Sequence, residues 1–226
     1  MSPSGGSEVP LVLGFLAWLT TGWWMGARGW RVQRRRLVAA GQEPLGRWML
    51  IWWDLLLGAV VLVLTHTVAG SPGVVAVAMA GLPAMVVDAR IHRLPDAYTL
   101  AMALGTVLGL VSVVLVAERP YALVARDLVV GAVAWAAPLA LARTARAGVG
   151  LGDVKLAPVL GALTGLVSWE AALGGLVLAF LGAGAGALWT LVTRSGNLRT
   201  RIPMGPWMIG GALAAVVVAG VGPSPW

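Results

Sequence analysis

Residues 98–117, YTLAMALGTVLGLVSVVLVA, run for twenty positions without a charge. A helix needs roughly 20 consecutive apolar residues to cross a bilayer. The run is continuously apolar and lacks the alternation of a lipid-facing strand, so it reads as a transmembrane helix and not as part of a barrel. Working outward, runs of similar character cover 9–27, 48–70, 126–143 and 170–193. Two shorter runs, 73–88 and 153–168, fall a few residues short of a span, and 204–222 supplies an eighth segment. The expected fold class is all-α: a polytopic integral membrane protein of about eight transmembrane helices, forming a single transmembrane domain over residues 1–226.

Composition agrees. With 59% hydrophobic and 11% charged residues the chain has too few solvating groups to cover a soluble globule of its size. Its 31 glycines and 12 tryptophans suit close helix contacts and anchoring at headgroup level. The pairs Gly105 and Gly109, Gly161 and Gly165, and Gly182 and Gly186 have small-xxx-small spacing and read as packing positions. The absence of cysteine excludes disulfides, thiolate metal sites and a cysteine nucleophile. A net charge of +7 does not indicate nucleic acid, because the basic residues are dispersed through short connections between apolar runs.

Those residues set an orientation. Fourteen of the sixteen fall in alternate connections: Arg28, Arg31, Arg34, Arg35, Arg36 and Arg47; Arg90 and Arg93; Arg143, Arg146 and Lys155; Arg194, Arg199 and Arg201. The opposite side holds Arg119 and Arg126 beside Glu8, Glu118 and Glu170. By the positive-inside rule the first set is cytosolic and both termini lie outside. Residues 1–8 carry no Lys or Arg, so they lack the basic start of a signal peptide, and the first span is expected to be retained. The longest hydrophilic stretch, 28–47, is read as a short basic cytosolic loop, too small to hold a core and suited to anionic membrane lipid.

Acids inside a membrane are costly, so the nine acidic residues are sorted individually. Glu8, Glu43, Glu118 and Glu170 fall in loops or at span ends. Asp54 and Asp127 lie a turn or two inside spans, where helix-end or interhelical hydrogen bonds account for them. Asp88 and Asp153 differ. Asp88 closes the third run and precedes a polar turn ending in Leu94-Pro95-Asp96, where the proline cannot continue a helix. Asp153 opens the sixth directly after Gly150-Leu151-Gly152. One is at a cytosolic exit and the other at a cytosolic entry, so the topology allows the carboxylates to meet. Two carboxylates at hydrogen-bonding distance share a proton, which lets one activate water while the other protonates a carbonyl. Asp88 is expected at a partly negative helix end and Asp153 at a partly positive one, which favours Asp88 as the proton holder and Asp153 as the base.

These residues resemble the type IV prepilin peptidases, a family of GxGD aspartic proteases, from about residue 84 onward. The resemblance rests on Asp88 followed by Leu94-Pro95-Asp96, on Gly150-Leu151-Gly152-Asp153-Val154-Lys155-Leu156, and on Ile202-Pro203-Met204-Gly205-Pro206-Trp207. It implies that Asp88 and Asp153 are the catalytic pair. It implies supporting places for Gly150, Gly152, Lys155, Leu94, Pro95 and Asp96, with Asp96 belonging to the turn. On a helix Lys155 points about 200° away from Asp153, so it is read as reaching the headgroups. His92 is read as a solvated loop residue; no metal or cofactor is expected.

The resemblance further implies a prepilin or pseudopilin substrate, cut between an N-terminal leader and an apolar helix, at the cytosolic face of a bacterial inner membrane. Many bacterial members carry a cytosolic domain with paired CxxC motifs between their first two spans and methylate the new N-terminus. Here only the 28–47 segment stands in that place, so peptidase without methyltransferase activity is expected. The competing reading is a proton- or cation-coupled transporter using the acid pair as an ion relay, which calls for acids near mid-bilayer. Presenilin-like and signal-peptide-peptidase-like enzymes share the GxGD signature, but not the Leu-Pro-Asp turn and the GDVKL run.

Overall fold

A computed structural model describes residues 5–116, 119–145, 149–193 and 202–221. Glu118, Arg146, Arg194, Arg199 and Arg201, used above for orientation, lie outside the described residues. Among the described residues every regular element is helical: α1 (Gly5–Trp24), a π-helical turn (Met25–Gly29), α2 (Trp30–Ala39), α3 (Arg47–Thr65), α4 (Ser71–Ile91), α5 (Asp96–Val116), α6 (Tyr121–Thr144), α7 (Leu151–Gly165), α8 (Trp169–Val192) and α9 (Gly205–Val221). Six are long and apolar enough to span a membrane, with α1, the π-turn and α2 counted as one continuous helix. With the shorter helices α7 and α9 among the described residues, the protein is a polytopic, all-α membrane protein.

Two boundaries differ from the sequence reading. The run at 73–88 is a full-length helix, because Pro72 starts it at Ser71 and Ala89, Arg90 and Ile91 continue it past the apolar stretch. The segment at 28–47, read as a loop, is helical as far as Ala39. Hydropathy marks where a chain leaves the bilayer, but Arg, Gln, Leu, Val and Ala are all compatible with helix and nothing from Trp30 to Ala39 breaks one. The helix ends in a Schellman cap: Gly41, at φ +69°, donates to Val38 O, and Gln42 donates to Leu37 O at 2.9 Å. The irregular connection is reduced to 40–46. The α1–α2 helix, roughly 50 Å long, exceeds the bilayer core and carries its arginines beyond it.

The centre of the bundle is α4, fifteen of whose 21 residues are buried. Its run of Gly73, Ala76, Ala78, Ala80, Gly81 and Ala84 lets α1, α3, α5 and α9 pack around it. The glycine pairs sit at such contacts. Gly105 faces Ala76 and Gly109 faces Gly73, Gly161 faces Gly131 and Gly165 faces Asp127, while Gly182 and Gly186 receive the Trp207 ring. Asp127, 1% exposed, is ion-paired with Arg119 at 2.6 Å and Arg126 at 2.8 Å. Arg119 also donates to Val167 O, so this acid clamps α6 to the α7–α8 turn.

At fifteen residues α7 is only about 22 Å long, shorter than the roughly 30 Å of a hydrocarbon core. Its N-terminus, with Asp153, sits at the same end of the bundle as the C-terminus of α4, with Asp88.

Candidate active site

Asp88 lies in the last turn of α4, and its backbone carbonyl accepts the N–H of His92, which caps the helix in the left-handed region at φ 52°. The side chain is 5% exposed. Its Oδ2 accepts the Gly205 N–H at 2.9 Å. Gly205 is the first residue of α9, and a Cβ there would lie 2.8 Å from Asp88 Oδ2. The Ile-Pro-Met-Gly-Pro run therefore has a physical role: its glycine lets a helix start rest directly on a buried carboxylate, whose oxygen accepts the helix-start amide.

Asp153 occupies the third position of α7, after its N-cap Gly150. The Gly150 N–H is directed back at the Asp153 carboxylate, the reciprocal half of a capping box. Gly152 serves a different contact: a Cβ on it would stand 2.8 Å from Leu94 Cβ. The second glycine of the motif thus seats α7 against the Leu94-Pro95-Asp96 turn. A salt bridge between Lys155 Nζ and Asp96 Oδ1, 2.9 Å long, ties the same two segments at the surface. Helical periodicity alone directs Lys155 toward the headgroups. The side chain is 55% exposed, and its partner is the turn aspartate.

All eight residues singled out in the sequence come together. Asp88, Asp153, Leu94, Pro95, Asp96, Gly150, Gly152 and Lys155 line one cavity of about 250 Å³, with Arg36 entering from α2. The two carboxylates are close enough for the charge of Asp88 to act on the Asp153 carboxyl. The helix-polarity contrast expected from the sequence is offset, because Asp88 ends α4 but also sits on the start of α9. Each carboxylate therefore lies against the start of a helix. Two such groups in one partly enclosed cavity can divide one proton between them and act as acid and base on a single substrate.

Two contributors were not singled out in the sequence. Hydropathy alone puts Arg36 in a loop, and only the helical course of α2 brings it to the cavity. Tyr98, two residues beyond Asp96, is fully buried. Its hydroxyl donates to Gly29 O at 2.9 Å and accepts from Gln33 N at 3.1 Å, bridging an i to i−4 link just past the π-turn. It fastens the start of α5 to the π-turn and α2. Gln33, also buried, pairs its side-chain amide with both backbone groups of Leu45. A tyrosine directly after the Leu-Pro-Asp turn, in a chain with two tyrosines, was the available signal.

No curated protein and no solved structure matches the chain. A family model does: that of the type IV leader peptidase family matches residues 74–191, just over half of the sequence, from the start of α4 nearly to the end of α8. The match takes in Asp88, the Leu94-Pro95-Asp96 turn and the Gly150 to Asp153 run, and by it this chain belongs to the type IV leader peptidase family.

Proposed function

We propose that the protein is an aspartic endopeptidase that removes the leader of prepilin-like proteins at the cytosolic face of a bacterial inner membrane, with Asp88 and Asp153 as its catalytic pair. The observation that carries this reading is the shared cavity lined by two carboxylates, 65 residues apart in sequence, at a helix exit and a helix entry.

The chemistry follows from one proton held by two acids. The ionised carboxylate takes a proton from water as the water oxygen bonds to the scissile carbonyl carbon. The protonated partner gives its proton to the carbonyl oxygen, producing a tetrahedral diol. Collapse re-forms the carbonyl, breaks the C–N bond and returns one diol proton to the second carboxylate. The departing amine takes the proton first removed from water, and the pair again holds one proton. Because the two groups titrate as a unit, neither is assigned a fixed role.

The cytosolic placement is supported by the excess of arginine in the connections at this end of the bundle. It suits a substrate whose leader lies in the cytosol and whose apolar helix lies in the bilayer. The short connection between α2 and α3 supports peptidase activity without methyl transfer. Family membership favours proteolysis over the ion-relay transporter. The test is co-expression of a candidate prepilin with wild-type protein, Asp88→Ala or Asp153→Ala, reading leader loss by gel mobility. Cleavage by the wild type alone is expected, and normal cleavage by either variant removes that residue from the pair.

A further inference from the structure

Three guanidinium groups converge on one indole. Arg31, Arg34 and Arg47 lie 5.8, 5.7 and 5.4 Å from the ring centroid of Trp30, the first residue of α2. Arg47 opens α3, where Gly46 at the cap offers no side-chain acceptor. One of its nitrogens donates to Gly26 O at 3.0 Å, a carbonyl of the π-turn. No carboxylate joins the group: the ion pairs among the described residues engage Arg119, Arg126 and Lys155. Cation–π attraction is worth about 0.5–1 kcal/mol per exposed contact and does not cancel the mutual repulsion of three cations. Trp30 Nε1 is buried without an acceptor among the described residues.

The surroundings are those of a membrane border. Trp48, Trp52 and Trp53 on the first turns of α3 are 66, 68 and 61% exposed, as indoles are at headgroup depth. The basic helix α2 leaves the bilayer beside them.

We propose that Arg31, Arg34 and Arg47, gathered around Trp30, bind the phosphate of an anionic phospholipid. The phosphate oxygens match the forked geometry of guanidinium groups and supply the negative charge that the cluster lacks. Free phosphate shares this chemistry. The lipid is the source that fits a cluster flanked by exposed tryptophans, whose rings lie along acyl chains while the phosphate is held above them.

The experiment is native mass spectrometry of the full chain, released from micelles containing equal phosphatidylglycerol and phosphatidylcholine. The wild type is expected to retain phosphatidylglycerol over phosphatidylcholine by at least about fivefold, and Arg31→Gln/Arg34→Gln/Arg47→Gln to fall to about parity. Arg34→Gln alone leaves the Arg47 bond to Gly26 in place and is expected to lose about half of the preference or more, which decides the matter even if the triple variant does not fold. Arg28→Gln/Arg35→Gln removes nearby charge outside the cluster and is expected to keep the wild-type preference. An equal loss in that control, or full preference in Arg34→Gln, overturns the proposal. Displacement of the lipid by millimolar inorganic phosphate overturns the lipid as the ligand.

Discussion

Asp88 is held from across the fold: its Oδ2 accepts the N–H of Gly205, 117 residues further along the chain, at 2.9 Å. A buried carboxylate at the end of the most enclosed helix is thereby given a partner by the first residue of the last helix, and the end of α4 is joined to the start of α9 beside the cavity that Asp153 also lines.

Gly205→Ala places a methyl group 2.8 Å from that carboxylate oxygen. Either the start of α9 or the carboxylate must shift, and a displacement of this size at a reacting group costs about 10- to 100-fold in rate. Gly210→Ala, in the same helix but with open space around its Cβ, is the matched control and is expected to leave cleavage unchanged. Initial cleavage rates of both variants in proteoliposomes make the comparison.

At Gly152 the neighbour is Leu94, so Gly152→Ala drives the α7 start away from the Leu-Pro-Asp turn. We expect a rate loss of about tenfold or more. Trimming the neighbour should relieve it: Gly152→Ala/Leu94→Ala is predicted to be faster than Gly152→Ala alone, a coupling that a double-mutant cycle measures directly. Simple additivity of the two losses would show that the contact does not set the position of α7.

The pair formed by Lys155 and Asp96 carries a different expectation. Both side chains are more than half exposed, and such bridges contribute about 0–1 kcal/mol. Lys155→Ala and Asp96→Ala should each lower thermal stability slightly and retain most of the activity, with the double variant no worse than the weaker single one. Loss of activity on the catalytic scale in Lys155→Ala would assign the lysine to the chemistry instead.

Tyr98→Phe keeps the ring but leaves Gly29 O and Gln33 N–H, both buried, without their bridge. Unsatisfied buried groups cost about 1–3 kcal/mol. The variant should unfold at a lower temperature, followed by circular dichroism in detergent, and an unchanged transition would mean that the helix re-forms its own hydrogen bond.

Much of this architecture is legible in the sequence, and the exceptions have physical causes. Continuous apolar runs locate the spans because the bilayer demands them. The carboxylates declare themselves because an acid at a membrane border needs a reason. The helical course of 30–39 is not legible from hydropathy, which marks polarity and not backbone conformation, so the place of Arg36 at the cavity is not legible either. Gly205 stands out within Ile202-Pro203-Met204-Gly205-Pro206, but a backbone amide has no sequence signature for its acceptor. The grip of Tyr98 on the first helix likewise depends on tertiary placement. The expectation of helix-end or interhelical hydrogen bonds for Asp54 and Asp127 meets two different outcomes: Asp127 pairs with Arg119 and Arg126, whereas neither carboxylate oxygen of the buried Asp54 has a hydrogen-bond partner among the described residues.

The shared role of Asp88 and Asp153 is tested most directly by single-turnover cleavage of a purified prepilin-like substrate by wild-type protein, Asp88→Asn, Asp153→Asn and Asp96→Asn, all in the same lipid. Asparagine keeps the shape but cannot exchange the proton, so the first two variants are predicted to lose about a thousandfold or more in rate while folding normally. Asp96→Asn should stay within a few fold of wild type. Wild-type rates from either Asp88→Asn or Asp153→Asn would contradict the account.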